Sequence, residues 1–154
     1  MNAATTERPA AATIATVLAF DFGTRRIGIA VGNTMMRTAH PLTTIDDDAN
    51  AVRFATIDAL VAEWAPAAFV VGRPLAADGA DIEMTARAER FARQLEGRYR
   101  LPVARVDERY TSRAASSMLV DAGVRGRARV AVEDQVAAQI ILQSWFDDAA
   151  RASP

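Results

Sequence analysis

Residues 17–32 constrain the fold of this chain most, because they read as two short strands joined by a tight turn, with one carboxylate among apolar residues. Strand alternation predicts that Asp21 lies on the same face as Val17 and Ala19. In the second strand, one face carries almost no side chains, since it consists of Gly28, Ala30 and Gly32. We therefore expect something to approach the backbone closely there.

The carboxylate of Asp21 has two interpretations. A lone ionised carboxylate is costly to bury, so it needs a cation, a metal ion or a wet cleft beside it. Alternatively, the segment is an ordinary hairpin in which Asp21 begins a turn, because Asp-x-Gly-Thr is rich in turn formers. Residues 17–32 by themselves do not choose between these interpretations.

Composition predicts one globular domain. The chain has 154 residues, of which 51% are hydrophobic and 24% charged, as is typical of a soluble protein. We expect residues 1–13, which are rich in Ala and Thr, to be a disordered N-terminal extension and residues 14–150 to form the domain. No apolar run has the roughly 18 residues that span a bilayer, so we expect a cytoplasmic protein. The absence of cysteine excludes disulfides, thiolate zinc sites and a cysteine nucleophile.

Positive charge is concentrated late in the chain. The net charge of −1 argues against binding nucleic acid by bulk attraction. Residues 109–129, however, contain a single acid, Asp121, and five basic residues, which are Arg109, Arg113, Arg125, Arg127 and Arg129. A local excess of this kind is the usual footprint of a phosphate-binding surface.

Periodicity predicts the order strand, strand, strand, helix, strand, helix, strand, helix, helix. Beyond the first hairpin, the strands fall near residues 39–45, 67–71 and 101–106. The helices fall near residues 51–64, 81–96, 111–122 and 132–148. We expect Gly97 to cap the second helix and residues 124–129 to form a basic loop. This order is that of an α/β protein with a ribonuclease H-like fold, a mixed five-stranded sheet with helices on both faces and the first strand central.

Two further acids are candidates for the same site as Asp21. Glu108 follows the last strand, whose carboxyl end faces the ligand crevice in such sheets, while alternation turns Asp107 to the other face. Asp134 lies on the core-facing stripe of the last helix, with Ala138, Ile141 and Trp145. An acid in a first helical turn often only complements the helix dipole. If Asp21, Glu108 and Asp134 converge, they suit a hard divalent cation such as Mg²⁺.

Four segments of the sequence resemble the YqgF family, also called RuvX. They are residues 21–32, 71–79, 107–112 and 133–143, and the resemblance extends from Leu18 to about Asp147. It implies that the family's acidic triad falls on Asp21, Glu108 and Asp134. The chain departs from the family at Arg73 and at Glu133, where apolar residues are common.

The resemblance implies a nuclease that hydrolyses phosphodiester bonds with Mg²⁺ or Mn²⁺, with two ions in sites of this kind. It also implies that the backbone of a nucleic acid is held by basic side chains, for which we select Arg73, Arg109, Arg125, Arg127 and Arg129. The family is linked with maturation of the 5′ end of precursor 16S rRNA and with resolution of Holliday junctions. We favour the rRNA and a monomer, because symmetric nicking needs a stable two-fold dimer and each helix has a single apolar stripe.

Two other classes of protein share features with this sequence. Asp-x-Gly-Thr-x-x-x-Gly also opens ATPases of the actin and sugar-kinase type, but these clamp ATP between two domains and 154 residues supply one. A non-catalytic nucleic-acid-binding module is less consistent with three retained acids. We expect His40, the single imidazole, to be structural.

Overall fold

The computed structural model describes residues 14–73, 82–107 and 126–152, without the side chains of residues 126–131 and 150–152. Five strands are present in this part of the chain: β1 (Thr16–Phe22), β2 (Arg26–Asn33), β3 (His40–Asp46), β4 (Ala68–Arg73) and β5 (Val103–Asp107). The described helices are α1 (Asn50–Trp64), α2 (Ile82–Tyr99) and α3 (Gly126–Ala152). The predicted N-terminal extension and the predicted helix near 111–122 lie outside the described residues.

The five strands form one mixed sheet in the order β3-β2-β1-β4-β5. β1 pairs antiparallel with β2 and parallel with β4, and β4 pairs parallel with β5. Strand β3, which carries Pro41, is an edge strand, as its proline predicts. The mixed sheet and the central position of the first strand are therefore confirmed.

Each face of the sheet has its own apolar core. On one face, Leu18 and Phe20 of β1 pack with residues of α1 and α2, among them Phe54 and Phe91. On the other face, a second cluster joins the sheet to α3, and its buried members are Val17, Ala19, Ala30, Ala39, Val70, Ala138, Ile141, Leu142 and Phe146. Helices therefore cover both faces, and the predicted alternation along β1 is confirmed.

Helix α3 packs closely against the face of β2 that carries Gly28 and Gly32. A side chain at Gly32 would place its Cβ 2.8 Å from the ring of Phe146, and one at Gly28 would come within 2.9 Å of the Asp134 Cβ. Real Cβ atoms do not approach other atoms that closely. The predicted close approach is confirmed, and the approaching element is α3.

Two predicted helix boundaries are wrong. Helix α2 continues through Gly97 to Tyr99, and the chain turns at Arg100, whose φ is 56°; Gly97 is therefore not a cap. Helix α3 begins at Gly126, so most of the predicted basic loop at 124–129 is helical. Arg and Ala are good helix formers, and Arg127, Ala128 and Arg129 extend α3 ahead of the apolar repeat that sequence periodicity detects. None of the described helices is long and apolar enough to cross a membrane.

Candidate active site

The candidate site lies where α3 crosses the central hairpin. Asp21 of β1 is paired with Gly28 of β2 in the antiparallel register. Residues opposite each other in such a pair project to the same face, with Cβ atoms roughly 5 Å apart. The missing side chain of Gly28 leaves room for the backbone of Asp134. The sheet register and the glycine thus place Asp21 and Asp134 on one face of the sheet, at the carboxyl end of β1.

Asp134 is held in place by an ion pair with the hairpin. The Nε–H of Arg26 donates to Oδ2 of Asp134 at 2.7 Å. Arg26 is the first residue of β2 and lies two and four residues before Gly28 and Ala30. Its side chain therefore shares their face, which is the α3 face of the sheet. The ion pair therefore connects α3 to the start of β2 beside Asp21.

Burial governs the electrostatics of Asp134. The carboxyl side chain is 20% exposed, and this burial raises its pKa above the ordinary value of 3.8, although the hydrogen bond from Arg26 acts in the opposite direction. The same hydrogen bond raises the pKa of Arg26. The carboxylate is therefore incompletely compensated by Arg26, and an additional cation beside it would be favourable.

Asp107 and Arg73 form a separate pair on the opposite face. Arg73 is level with Asp107 in the parallel β4–β5 register, and Nη2 of the arginine lies 3.1 Å from Oδ1 of the aspartate. Two residues earlier, Arg105 reaches Glu89 of α2, which identifies this as the α2 face. The prediction that Asp107 points away from the Asp21 face is confirmed. Arg73 therefore also lies on the α2 face.

The other predicted site residues fall outside what the structure describes. Glu108, Arg109 and Arg125 lie outside the described residues, and Arg127 and Arg129 are in α3 without described side chains. Within the described ranges, no three carboxylate or imidazole side chains gather in a cluster that could hold a metal ion. The structure therefore brings together two of the three predicted acids.

Sequence reasoning missed two arginines near Asp21. The sequence does indicate the position of Arg26, since spacing by two residues puts it on the same face of β2 as Gly28 and Ala30. Arg53 is 5% exposed, and its signal is its spacing of four residues from the buried Ile57 on the apolar stripe of α1. A charged residue at such a position needs partners inside the fold.

The architecture is similar to that of solved resolvases. A Thermus thermophilus RuvC in complex with Holliday junction substrate has a TM-score of 0.55 at 13% identity, and the match covers 88% of this chain and 96% of that one. The yeast mitochondrial Holliday junction resolvase Ydc2 has a TM-score of 0.54 at 11% identity over 88% of this chain and 79% of its own. The mixed sheet with β1 at its centre and helices on both faces thus defines a protein of the ribonuclease H-like class.

Sequence comparison identifies the family within that class. The family model described as "RuvX: Holliday junction resolvase" matches residues 15–148. A Nitrosomonas europaea relative is 53% identical over 86% of this chain and 89% of its own, and a Chromobacterium violaceum relative is 52% identical over 84% and 96%. Both relatives are named "Putative pre-16S rRNA nuclease". The chain belongs to the RuvX family.

Proposed function

We propose that this protein is a nuclease that hydrolyses phosphodiester bonds with divalent metal ions, with precursor 16S rRNA as its substrate. The observation that carries the proposal is the placement of Asp21 and Asp134 on one sheet face, beside the unsubstituted backbone of Gly28. Membership of the RuvX family and the names of the close relatives support the same activity.

The donor set fits hard cations. Carboxylate oxygens are the ligands that Mg²⁺ and Mn²⁺ take in proteins, and we assign this role to Asp21, Asp134 and Glu108. Arg26 donates to Oδ2 of Asp134, so we assign the other oxygen, Oδ1, to the cation. Divalent cations held there would activate a water molecule and stabilise charge on the leaving oxygen. The chain therefore need not supply a nucleophile of its own.

Basic side chains would hold the substrate backbone. We assign this role to five arginines. Arg73 is the last residue of β4, Arg109 comes two residues after β5, Arg125 precedes α3, and Arg127 and Arg129 are at its start. Replacing the last three together by Ala should lower the slope of log affinity against log salt by about 0.7 for each lost contact to a single strand. An unchanged slope would show that these arginines do not contact the backbone.

The second candidate substrate is a Holliday junction, which the family description and the RuvC neighbour favour. A resolvase needs two sites held at fixed separation by a two-fold dimer, whereas trimming of rRNA needs one. We infer a monomer with a single cleft, suited to an unpaired strand.

A cleavage panel tests the proposal. Precursor 16S rRNA fragments with the 5′ leader, mature-length RNA, DNA duplexes and four-way junctions are offered side by side with Mg²⁺, Mn²⁺, Ca²⁺ or EDTA. Cleavage of the leader with Mg²⁺ or Mn²⁺, and none in EDTA, supports the proposal. Symmetric nicking of the junction with no cleavage of the precursor would identify a resolvase instead.

A further inference from the structure

A cavity of about 300 Å³ lies between α1 and α2, on the face of the sheet opposite Asp134. We call it the arginine cavity, because three guanidinium groups line it together with two amides and one carboxylate: Arg53, Arg87, Arg90, Asn50, Gln94 and Asp48. Its lining carries an excess of positive charge and hydrogen-bond donors. None of these residues belongs to the acidic site.

Arg53 is a buried cation without an acidic partner in the described part of the chain. Its side chain belongs to a residue that is only 5% exposed. Its hydrogen bonds go to neutral backbone carbonyls, from Nε to Asp47 and from Nη2 to Gly23 and Thr24, at 2.9 Å for the last two. Buried charges in proteins are normally paired, whereas no described carboxylate forms an ion pair with this guanidinium, and Asp47 and Asp48 act on it only from a greater distance.

The donors of Arg53 are only partly used. Nε and Nη2 make the described hydrogen bonds, whereas Nη1 makes none among the described residues. Burial lowers the pKa of this guanidinium, and the nearby Asp48 and Asp47 carboxylates raise it less. Since Nη1 is not among the buried atoms that lack a partner, it is open to the cavity and available to a bound anion.

The other two arginines are available to an incoming anion. Arg87 pairs with Glu83 one turn earlier on α2, but both side chains are largely exposed, so this pair is weak. Arg90 is exposed and has no ion pair within the described ranges. Asp48 is the single acid in the lining and opposes an anion, but three guanidinium groups outnumber it.

The arginine cavity is coupled to the candidate active site through β1. Phe22, which follows Asp21 directly, lines the cavity, and the guanidinium of Arg53 lies 5.4 Å from the centre of its ring. Through Gly23 and Thr24, Arg53 also holds the turn that leads away from Asp21. A strand that crosses the carboxyl end of β1 therefore meets the acids on one face and the arginines on the other.

We propose that the arginine cavity binds a phosphate group of the nucleic-acid strand, at a position other than the bond that is cleaved. This inference rests on the proposed nuclease function and adds a second contact for its substrate. Guanidinium groups form forked, charge-assisted hydrogen bonds with phosphate oxygens, and the amides of Asn50 and Gln94 add neutral donors. Binding fixes the register of the strand relative to Asp21 without reading its sequence.

The main test measures binding rather than cleavage. The affinity of a fluorescent single-stranded RNA is measured in EDTA by anisotropy, over a series of salt concentrations, for the wild type and for the double variant Arg87→Ala/Arg90→Ala. Both arginines are exposed, so this variant should fold, which a thermal melt checks. The expected result is weaker binding at low salt and a log–log slope lowered by about 1.4, which is about 0.7 for each lost contact.

The matched control is Arg93→Ala/Arg100→Ala. It removes the same two charges from α2 and the residue that follows it, and neither arginine lines the cavity. Its slope should stay near that of the wild type. Equal losses in both double variants would mean that α2 contributes general charge and no subsite, which would overturn the proposal.

A second measurement distinguishes a backbone phosphate from free phosphate. Inorganic phosphate and the RNA are each titrated against ¹⁵N-labelled protein, and the side-chain signals of Arg53, Asn50 and Gln94 are followed. We expect shifts with the RNA that the Arg87→Ala/Arg90→Ala variant loses. Shifts with inorganic phosphate alone, together with unchanged RNA affinity in the variant, would identify a site for free phosphate and overturn the proposal.

The subsite and the nuclease function fail in different ways. If the wild type cleaves the precursor and the double variant binds RNA with an unchanged slope, the subsite is wrong and the nuclease stands. If the double variant loses RNA affinity but no nucleic acid is cleaved under any metal condition, the subsite stands and the nuclease is wrong.

Discussion

Two opposing influences act on the pKa of Asp134: burial against the sheet raises it, and the ion pair with Arg26 lowers it. Burial disfavours the charged carboxylate, and a single, partly exposed guanidinium compensates it only in part. Asp21 lies across the hairpin on the same face. Carboxylates that project to one face of a sheet suit a bound hard cation.

We expect Asp21→Asn and Asp134→Asn each to lower the rate of cleavage by roughly 100-fold or more, since metal sites are sensitive even to loss of their outer-shell partners. We expect little loss of stability for Asp21→Asn, because the amide keeps the shape of the side chain and removes a half-buried charge. Cleavage rates at saturating Mg²⁺, measured together with thermal melts, check both expectations.

The control for these variants is Asp107→Asn. Asp107 pairs with Arg73 on the opposite face, in an exposed pair worth about 0–1 kcal/mol, so the rate should stay within a few-fold of the wild type. If Asp107→Asn abolished cleavage while Asp21→Asn did not, the assignment of the site to the α3 face would be wrong.

Docking of α3 depends on the absence of a side chain at Gly28. A methyl group there would overlap the backbone of Asp134, and the helix would have to move away from the sheet. We expect Gly28→Ala to destabilise the protein by about 1–3 kcal/mol or more, as overpacking does, and to impair cleavage by displacing Asp134. Urea unfolding and the cleavage assay measure the two effects.

Gly97→Ala is the matched control for Gly28→Ala. Gly97 lies inside α2, and a Cβ at this position would have nothing within 4 Å of it among the described residues. Because alanine restricts the unfolded chain and favours helix, we expect Gly97→Ala to stabilise the protein by about 0.5–1 kcal/mol. Equal destabilisation by both substitutions would mean that the α3 contact is not what makes Gly28 necessary.

The contact between β5 and α2 predicts a dependence of stability on pH. Arg105 donates to Glu89 at 2.8 Å and to Glu96 at 2.7 Å, and the hydrogen bond with Arg105 lowers the pKa of Glu89 below its ordinary 4.5. A carboxylate whose pKa is lower in the folded protein than in the unfolded chain stabilises the fold at a pH above the unfolded-state pKa. This stabilisation is lost as the pH falls through the folded-state pKa. We therefore expect Glu89→Gln to lower the melting temperature at pH 7 and to have a much smaller effect near pH 3.

The comparison for this pH series is Glu83→Gln. The Glu83–Arg87 pair is exposed, so its loss should change the melting temperature little at either pH. A Glu89→Gln effect of the same size at pH 3 and pH 7 would show that its cause is packing and not ionisation.

The elements were predictable where one physical signal dominates. Alternation along β1 and β2 assigned Asp21 and Gly28 to the correct face. Helices cover both faces of the sheet, so the side chains on each face of these strands show a consistent apolar pattern. The ends of α2 and α3 were not predictable. Gly97 is the residue type that often caps a helix, but it lies inside α2 with no atom near its Cβ position among the described residues. The residues that follow Gly126 form helix readily but have no apolar repeat, so the start of α3 had no sequence signal.

The site was predictable only in part, because its partners are distant in sequence. The stripe of Ala138 and Ile141 correctly placed Asp134 toward the core. The ion pair with Arg26 depends on how α3 crosses the sheet, which no local pattern encodes. The buried position of Arg53 likewise depends on hydrogen bonds to a turn thirty residues away. Backbone carbonyls are common to all residues, so the sequence does not indicate which of them Arg53 contacts.

For the whole molecule we expect a monomer, with and without RNA. The large apolar side chains that are exposed in the described ranges lie in three places: at the open end of the β1–β2 hairpin (Ile14, Met35 and Met36), on α1 (Val52) and at the start of α2 (Ile82). A stable interface takes about 20–30 residues from each partner, far more than any of these places supplies. Sedimentation velocity with precursor RNA and with a four-way junction tests this expectation, and a two-fold dimer that forms on the junction would contradict it.

Arg26 and Asp134 are 108 residues apart along the chain, yet they are in direct contact. Polypeptides are made from the N-terminus, so the β1–β2 hairpin can form while α3 is still to be synthesised. During that interval Asp21 has no second carboxylate from α3 beside it. Under the proposed assignment of the site, the cleavage centre is therefore incomplete until α3 has been made, while the first half of the chain emerges beside the RNA of the ribosome.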